Sequence, residues 1–413
     1  MPKDVIVLGA GIVGLSTALH LQRRGRDVIV VDRRGPGGGA SFGNGGLIQR
    51  EAVFPYRFPR AVGELLRIAR NRSIDAVYHP FALPGLASPL LRYWWHAHPD
   101  RYAHAAQVQA RMIMTCLDEH LDLAREADAT ELLRPLGWMR LYRRAADLDA
   151  ALLQAEVAHR EYGVNYAALD GDGLEQAEPH LLERRAGALH WTDALSLSDP
   201  HALTVAYAKR LESLGGAVRT GDADKLEKRG ASWWMPTDAG PIEASAVVVA
   251  LGAASTRVTR RFGYAPPLFG KRGYHMHYAM QGNAVLNHPV LDSDKGFLMS
   301  PMRRGVRLST GAEFARDGAA PTPVQLARAE PIARALLPLG DRVDPEPWLG
   351  ERPCMPDMVP VIGPAPRAKD LWCAFGHAHQ GMTHGPSSGR MLAELMTGDK
   401  PFLDPYPYRP DRF

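Results

Sequence analysis

The 413-residue chain holds 46% hydrophobic and 23% charged residues at a formal net charge of +4. That is the balance of an ordinary globular protein, and it is too long for one simple core, so two domains are expected. So small a charge excludes a nucleic-acid partner held by a basic surface, and Arg257, Arg260, Arg261, Arg303, Arg304 and Arg307 read as a solvated face. The three cysteines, Cys116, Cys354 and Cys373, lie far apart; they exclude a disulfide framework and a zinc site, no metal is expected, and a reducing, cytoplasmic setting fits.

The chain opens on Lys3 and an apolar run, which imitates a signal peptide, but the residues that follow explain the run as structure. Val5 to Leu8 reads as a buried parallel strand running into Gly9-Ala10-Gly11-Ile12-Val13-Gly14, a helix closed by Gly25, and a second apolar strand, Val28 to Asp32. This is the strand–turn–helix–strand context in which G-x-G-x-x-G has a mechanism. Gly9 permits the tight turn, Gly11 lets backbone N–H groups approach a pyrophosphate, and Gly14 lets helix and strand pack closely. Asp32, at the end of the second strand, can accept from a ribose 2′-OH and would repel a 2′-phosphate, so the ligand is NAD-like or FAD rather than NADP.

Gly35 to Gly39 form a glycine-rich loop, and the following run Ser41-Phe42-Gly43-Asn44-Gly45-Gly46-Leu47-Ile48 suggests backbone lying against a ligand. Residues 53–110 are rich in proline and aromatics and show no clean periodicity. Within them Phe81 to Trp95, broken by Pro84, Pro89 and Arg92, is too short and interrupted to span a membrane; it reads as a partly buried cap, with an interfacial face as the alternative. Residues 111–126 and 147–161 read as amphipathic helices, and Gly137 to Tyr142 and Gly187 to Trp191 alternate like antiparallel strands. Ser198-Asp199-Pro200 starts a helix that ends at Gly215-Gly216, and strands follow at Ala217 to Thr220, Ser232 to Met235 and Ala246 to Leu251. The return to a buried, parallel-type strand predicts a discontinuous dinucleotide domain with a second domain inserted into it. The strand-like runs Tyr274 to Ala279, Gly296 to Ser300 and Val306 to Thr310 belong to the inserted sheet. Near the end, Leu371 to Phe375 is a strand that opens through Gly376 to Thr383 onto a helix expected from Ser387 to Gly389 onward.

These pieces together resemble the D-amino-acid oxidase-type flavoenzymes, in their D-amino-acid dehydrogenase and D-hydroxyproline dehydrogenase branch. The resemblance rests on the glycine turn with Asp32, Ser41-x-x-Asn44-x-Gly46, Gly252-Ala253-x-Ser255 and Arg272-Gly273-Tyr274, and on Gly350-x-Arg352-Pro353-x-x-Pro356-Asp357 and Gly376-His377-x-x-x-Gly381-x-Thr383. It implies an α/β fold: a Rossmann-type FAD domain (1–50, 193–255 and 340–413) carrying an α+β substrate domain (51–192 and 256–339) on a mixed, largely antiparallel sheet. It also implies non-covalent FAD, since Cys354 does not stand at the offset of covalently flavinylated relatives. Contacts to FAD are implied for Gly9, Gly11, Ile12, Val13, Gly14, Asp32, Arg33, Ser41, Asn44, Gly45, Gly46, Leu47, Ala223, Gly252, Gly376, His379, Gly381, Met382 and Thr383.

Arg352 matches the arginine that clamps a substrate carboxylate, and Tyr274 a position lining the substrate pocket. His379 stands where glycine oxidases carry arginine, and its role is open between contacting polar groups of the substrate and only filling the turn, while His377 reads as structural. The implied reaction passes a hydride from the Cα of a D-amino acid or cyclic imino acid, of the D-proline or hydroxy-D-proline type, to flavin N5, with quinone or O2 as electron acceptor. The alternatives are a glycine or sarcosine oxidase and a flavin-bearing subunit of a hetero-oligomer. Peripheral contact with the inner face of a membrane would pass through Phe81 to Trp95.

Overall fold

The computed structural model describes residues 3–413. The first sheet grows from the short apolar runs. β1 (Lys3–Leu8) turns through the glycines into α1 (Ile12–Arg23), and β2 (Val28–Asp32) returns parallel to β1 with Val5 opposite Val28 and Leu8 opposite Val31. α2 (Pro200–Ser213) starts on Asp199, whose carboxylate accepts from Ala202 N at 3.0 Å, with proline in the first turn. β3 (Ala217–Thr220) adds parallel to β2, and β4 (Gly240–Val249) lies parallel to the other edge of β1. Period-two alternation splits the strands: Val5 and Val7 pack under the helices, while Ile6, Leu8, Val247 and Val249 pack on the opposite layer with Trp233 and Met235.

The chain then passes through a second, eleven-stranded sheet. Its axis is β5 (Phe269–Met280), paired antiparallel along its first half with β6 (Trp348–Cys354), so that Lys271 faces Arg352 across the ladder. The strands Trp138–Tyr142 and Gly187–Trp191 pair antiparallel in the same sheet, with Trp138 opposite Trp191. β7 (Leu371–Phe375) re-enters the first sheet parallel to β4, and α3 (Gly381–Thr397) follows. The parallel order β3-β2-β1-β4-β7 switches direction between β1 and β4. A ligand crevice is expected at the C-terminal ends of those strands.

Three expectations need correction. The boundary at 340 is misplaced, because Leu339–Arg342 and Trp348–Cys354 both hydrogen-bond to β5 and so belong to the second sheet. Conversely, the helices Pro99–Ile113 and Cys116–Glu126, assigned to the substrate domain, bury Val108, Met112, Cys116 and Leu123 in the core beneath α1 and α2. Residues 53–110 hold three helices, Val62–Ala69, Leu83–His96 and Pro99–Ile113. Pro84 and Pro99 sit in first turns, where proline starts a helix instead of breaking it.

The third correction concerns α3, which begins at Gly381 rather than near Ser387 and runs through Pro386. Proline has no N–H for the carbonyl four residues back, and that carbonyl, Met382 O, instead accepts from His120 Nε2 at 2.7 Å. The glycines of this helix are needed for contact. A Cβ at Gly389 would lie 2.6 Å from Thr17 N, and one at Gly385 would lie 3.2 Å from Ile12 Cγ1. Ile12 meets Gly385 and Thr17 meets Gly389, so α1 and α3 run parallel with both N-termini at the same end.

Candidate active site

The glycine turn after β1 is built for close approach. Gly9 holds φ +108, a Cβ there would meet Ala250 O at 2.4 Å, and a Cβ on Gly14 would meet Gly9 O at 1.9 Å. α1 then starts on Gly11, which has no side chain of its own to cap the helix, and carries no acid in its first turn, which leaves its positive end facing the crevice. Ser41 Oγ accepts from Ile12 N at 3.0 Å and pins the following loop against Gly11 and Ile12. Asp32 ends β2; its Oδ2 accepts from Ala10 N at 3.0 Å and its Oδ1 from Arg34 N at 2.7 Å. Arg33 beside it is exposed. Ala223 lies three residues beyond Thr220, which pairs with Asp32, and Gly252, at φ +59, turns the chain away from β4.

The Ser41–Ile48 segment crosses to the second sheet. Asn44 Oδ1 accepts from Gly46 N at 2.8 Å, Ser300 Oγ donates to Gly45 O at 2.7 Å, and Leu47 pairs with Ser196. Arg307, expected in a solvated face, is instead buried: it donates through Nη1 to Phe42 O at 3.0 Å and to Asn44 O, and through Nε to His277 Nε2 at 3.0 Å. A glycine pattern with φ and spacing that no Cβ would tolerate, an open helix N-terminus and an acid ending β2 fit a dinucleotide. The residues that would hold one are those of the turn, the 41–48 segment and Asp32.

At the other end of the crevice a cleft, open at its mouth, lies between the second sheet and the start of α3. Arg352, Lys271 and Cys354 line one wall, His377 to Gln380 the other, and Tyr56 and Tyr93 the rim; no carboxylate lines it. Arg352 Nη1 donates to Gly311 O at 2.7 Å and Arg272 O at 3.3 Å, and Nη2 donates to Thr310 O at 3.1 Å. The arginine lies flat over Gly273, where a Cβ would come within 2.5 Å of Nη1. His379 Nε2 accepts from Gln380 Nε2 at 2.8 Å, and its ring meets Tyr56 edge-on at 4.6 Å. Burial, with Arg352 and Lys271 nearby, lowers the His379 imidazole to about 3, so it is neutral near pH 7.

His377 bonds Ser388 Oγ at 2.9 Å, and burial takes it to about 3 as well. Gly376, at φ +89, makes the turn into this wall, Gly381 opens α3, and Thr383 Oγ1 accepts from Gln49 N at 3.2 Å. Burial pushes the Cys354 thiol up, and a protonated thiol is a poor nucleophile.

Tyr274 does not reach this cleft. Alternation along β5 sends Lys271 and Gly273 to the cleft face, and Arg272 and Tyr274 to the other. There the Tyr274 hydroxyl donates to Glu313 Oε2 at 2.8 Å and accepts from Arg272 Nη2 at 2.7 Å and Thr322 N at 2.8 Å, inside the core of the second sheet. The resemblance carried the motif to the right strand but the wrong parity, and Lys271, which the sequence reading passed over, holds the cleft position. It also passed over Glu51. This carboxylate is buried; Oε1 accepts from Trp138 Nε1 and Gln49 Nε2, both at 2.9 Å, and Oε2 has no partner among the described residues. Burial raises Glu51 to about 7. Gln380 Nε2 also donates to Gln49 Oε1 at 3.2 Å, joining the cleft wall to this acid.

The sequence pattern of the FAD dependent oxidoreductase (DAO) family matches residues 4–395. The chain belongs to that family. It is an FAD-dependent oxidoreductase with a Rossmann FAD domain and a substrate domain on a mixed sheet. It is 30% identical over 425 residues to a D-amino-acid oxidase of Bradyrhizobium diazoefficiens, covering 100% of this chain and 99% of that protein. It is 29% identical over 414 residues to a D-amino acid dehydrogenase of Chromohalobacter salexigens, covering 97% of each. The fold is similar to that of glycine oxidase from Geobacillus kaustophilus, with a TM-score of 0.75 at 20% identity, covering 100% of this chain and 99% of that one. The family's cofactor is FAD, and the glycine turn, Asp32 and the 41–48 segment are the residues here that fit it.

Proposed function

We propose that the chain dehydrogenates a D-amino acid or a cyclic imino acid, with Arg352 holding the substrate carboxylate and non-covalent FAD supplying the hydride acceptor. The observation that carries the reading is a guanidinium in a cleft that no carboxylate lines. Three of the five N–H donors of Arg352 are engaged by backbone carbonyls, which fix its plane; the Nε and remaining Nη2 hydrogens are left for the substrate acid. No acid in the cleft offers a counter-charge to a substrate ammonium, and Lys271 and Arg352 disfavour one. The amine is therefore held as the free base, whose lone pair the departure of a hydride requires. His379, neutral, adds no charge to this balance, and the N-terminus of α3 would offer positive potential to negative charge on a bound flavin.

The test is anaerobic bleaching of the bound flavin by D-amino acids, D-proline, hydroxy-D-proline, glycine and sarcosine, with L-enantiomers as controls. Bleaching by a D-amino acid or D-proline is expected; bleaching by glycine and sarcosine alone overturns the reading in favour of the oxidase alternative. Oxygen uptake compared with dye reduction then separates O2 from a quinone-type acceptor.

A membrane-facing surface forms part of the proposal. Among the described residues no helix is long and apolar enough to cross a membrane. Yet Val62–Ala69 buries none of its residues, and Leu83–His96 buries only Tyr93. Leu66, Phe81, Leu91 and Trp95 stand exposed, with Arg60 over Trp94 at 4.4 Å and Arg101 over Trp95 at 3.8 Å. The partly buried cap expected there is thus mostly outward-facing. Aromatics interleaved with arginine suit an anionic lipid surface. Co-sedimentation with phosphatidylglycerol vesicles but not with phosphatidylcholine vesicles is expected, and equal recovery in the supernatant of both would remove this part.

A further inference from the structure

We infer that the preferred substrate carries a second carboxylate, which Lys271 receives while Arg352 holds the first; this rests on the reading of Arg352 given above. Lys271 and Arg352 are cross-strand partners on one face of the second sheet, and both line the cleft. Neither forms an ion pair among the described residues, whereas Arg272, between them in sequence but on the opposite face, pairs with Glu313 at 2.7 Å. Among the described residues Lys271 has no carboxylate or carbonyl partner; its side-chain partner is the Tyr93 hydroxyl. Its Nζ sits in an aromatic cage, 4.3 Å from the ring centroid of Tyr93, 5.7 Å from that of Phe269 and 5.9 Å from that of Phe314. Rings of this kind orient an ammonium but do not neutralise it.

Two withdrawn cations in a cleft without an acid form an unbalanced site. A monocarboxylic substrate matches one of them and leaves the other desolvated. A dicarboxylic amino or imino acid, of the aspartate, glutamate or iminodiacetate shape, matches both. The aromatic cage also bears on reach. It anchors the ammonium at the Tyr93 ring, while the Arg352 guanidinium is drawn over Gly273 toward Thr310 and Gly311, so each cation is anchored independently of the other.

The test compares charge at constant shape, on the FAD-loaded protein. D-Glutamate and D-aspartate should exceed D-glutamine and D-asparagine in kcat/KM by on the order of 10- to 100-fold. Calorimetric titration, which needs no turnover, should show glutarate and succinate binding more tightly than butyrate and propionate by a similar factor. Lys271→Met should bring both ratios close to one, while Lys271→Arg should keep them; if the methionine variant does not fold, the wild-type and arginine ratios still decide. Equal binding of glutarate and butyrate overturns the inference, as does an unchanged ratio in folded Lys271→Met. Bleaching by D-alanine or D-glutamine with no dicarboxylate advantage overturns it while leaving the dehydrogenase reading intact. If no amine bleaches the flavin, the dehydrogenase reading fails, and the calorimetric ratio alone then decides whether the cleft selects two acids.

Discussion

Glu51→Gln isolates the cost of one buried carboxyl. The side chain is buried, and that burial carries it from the usual 4.5 to about 7. Between those values the folded chain keeps a proton that the unfolded chain has released, so stability is full below the unfolded value and falls as pH rises toward 7. At 1.36 kcal/mol per pH unit the shift amounts to about 3 kcal/mol, lost almost entirely by pH 7 to 8. Glutamine has the shape of the protonated acid and keeps an oxygen to accept from Trp138 Nε1 and Gln49 Nε2. The variant should therefore match the wild type near pH 4.5 and exceed it by about 3 kcal/mol at pH 8. Melting of both FAD-loaded proteins across that range measures the difference. A gap between the two curves that does not grow with pH refutes the argument, because a pure packing effect carries no proton.

Other outcomes follow from the same geometry. Arg352→Ala should raise KM for the favoured substrate by the equivalent of about 2–4 kcal/mol, and steady-state kinetics showing no change would remove the clamp. Asp32→Ala should release FAD during purification, read as loss of the flavin absorbance per chain, since it removes both the anchor of Ala10 N and the ribose acceptor. Tyr274→Phe should leave KM unchanged but destabilise by about 2–3 kcal/mol, because Thr322 N and Glu313 lose a buried partner; denaturant titration checks the second half and a raised KM would contradict the first. His120→Leu should cost about 1–3 kcal/mol by leaving Met382 O unpaired, with a lower melting temperature as the readout.

Much of the nucleotide end was legible because its chemistry is local. β1, the glycine turn, α1, β2 and Asp32 lie within 32 residues, and each glycine has its own steric reason. The cleft was less legible because it is assembled across strands. The Arg272-Gly273-Tyr274 motif drew attention to Tyr274, but only the pairing with β6 shows which parity faces Arg352, and Lys271 has that parity. α3 was misjudged for a related reason. Gly381, Gly385, Pro386 and Gly389 oppose a helix by propensity, yet packing on α1 and the donor from His120 override it. Glu51 gave no signal at all, since nothing in Gln49-Arg50-Glu51 announces that the acid is buried against Trp138.

The side-by-side fit of α1 and α3 bears on the order in which the protein is completed. The turn that grips the dinucleotide is among the first segments synthesised, but its helix is flanked by a partner that leaves the ribosome only after Gly389. A nascent chain stopped short of that point has an uncovered flank along Ile12 and Thr17. The helix behind the dinucleotide turn is thus fully flanked only once the chain has been made past Gly389.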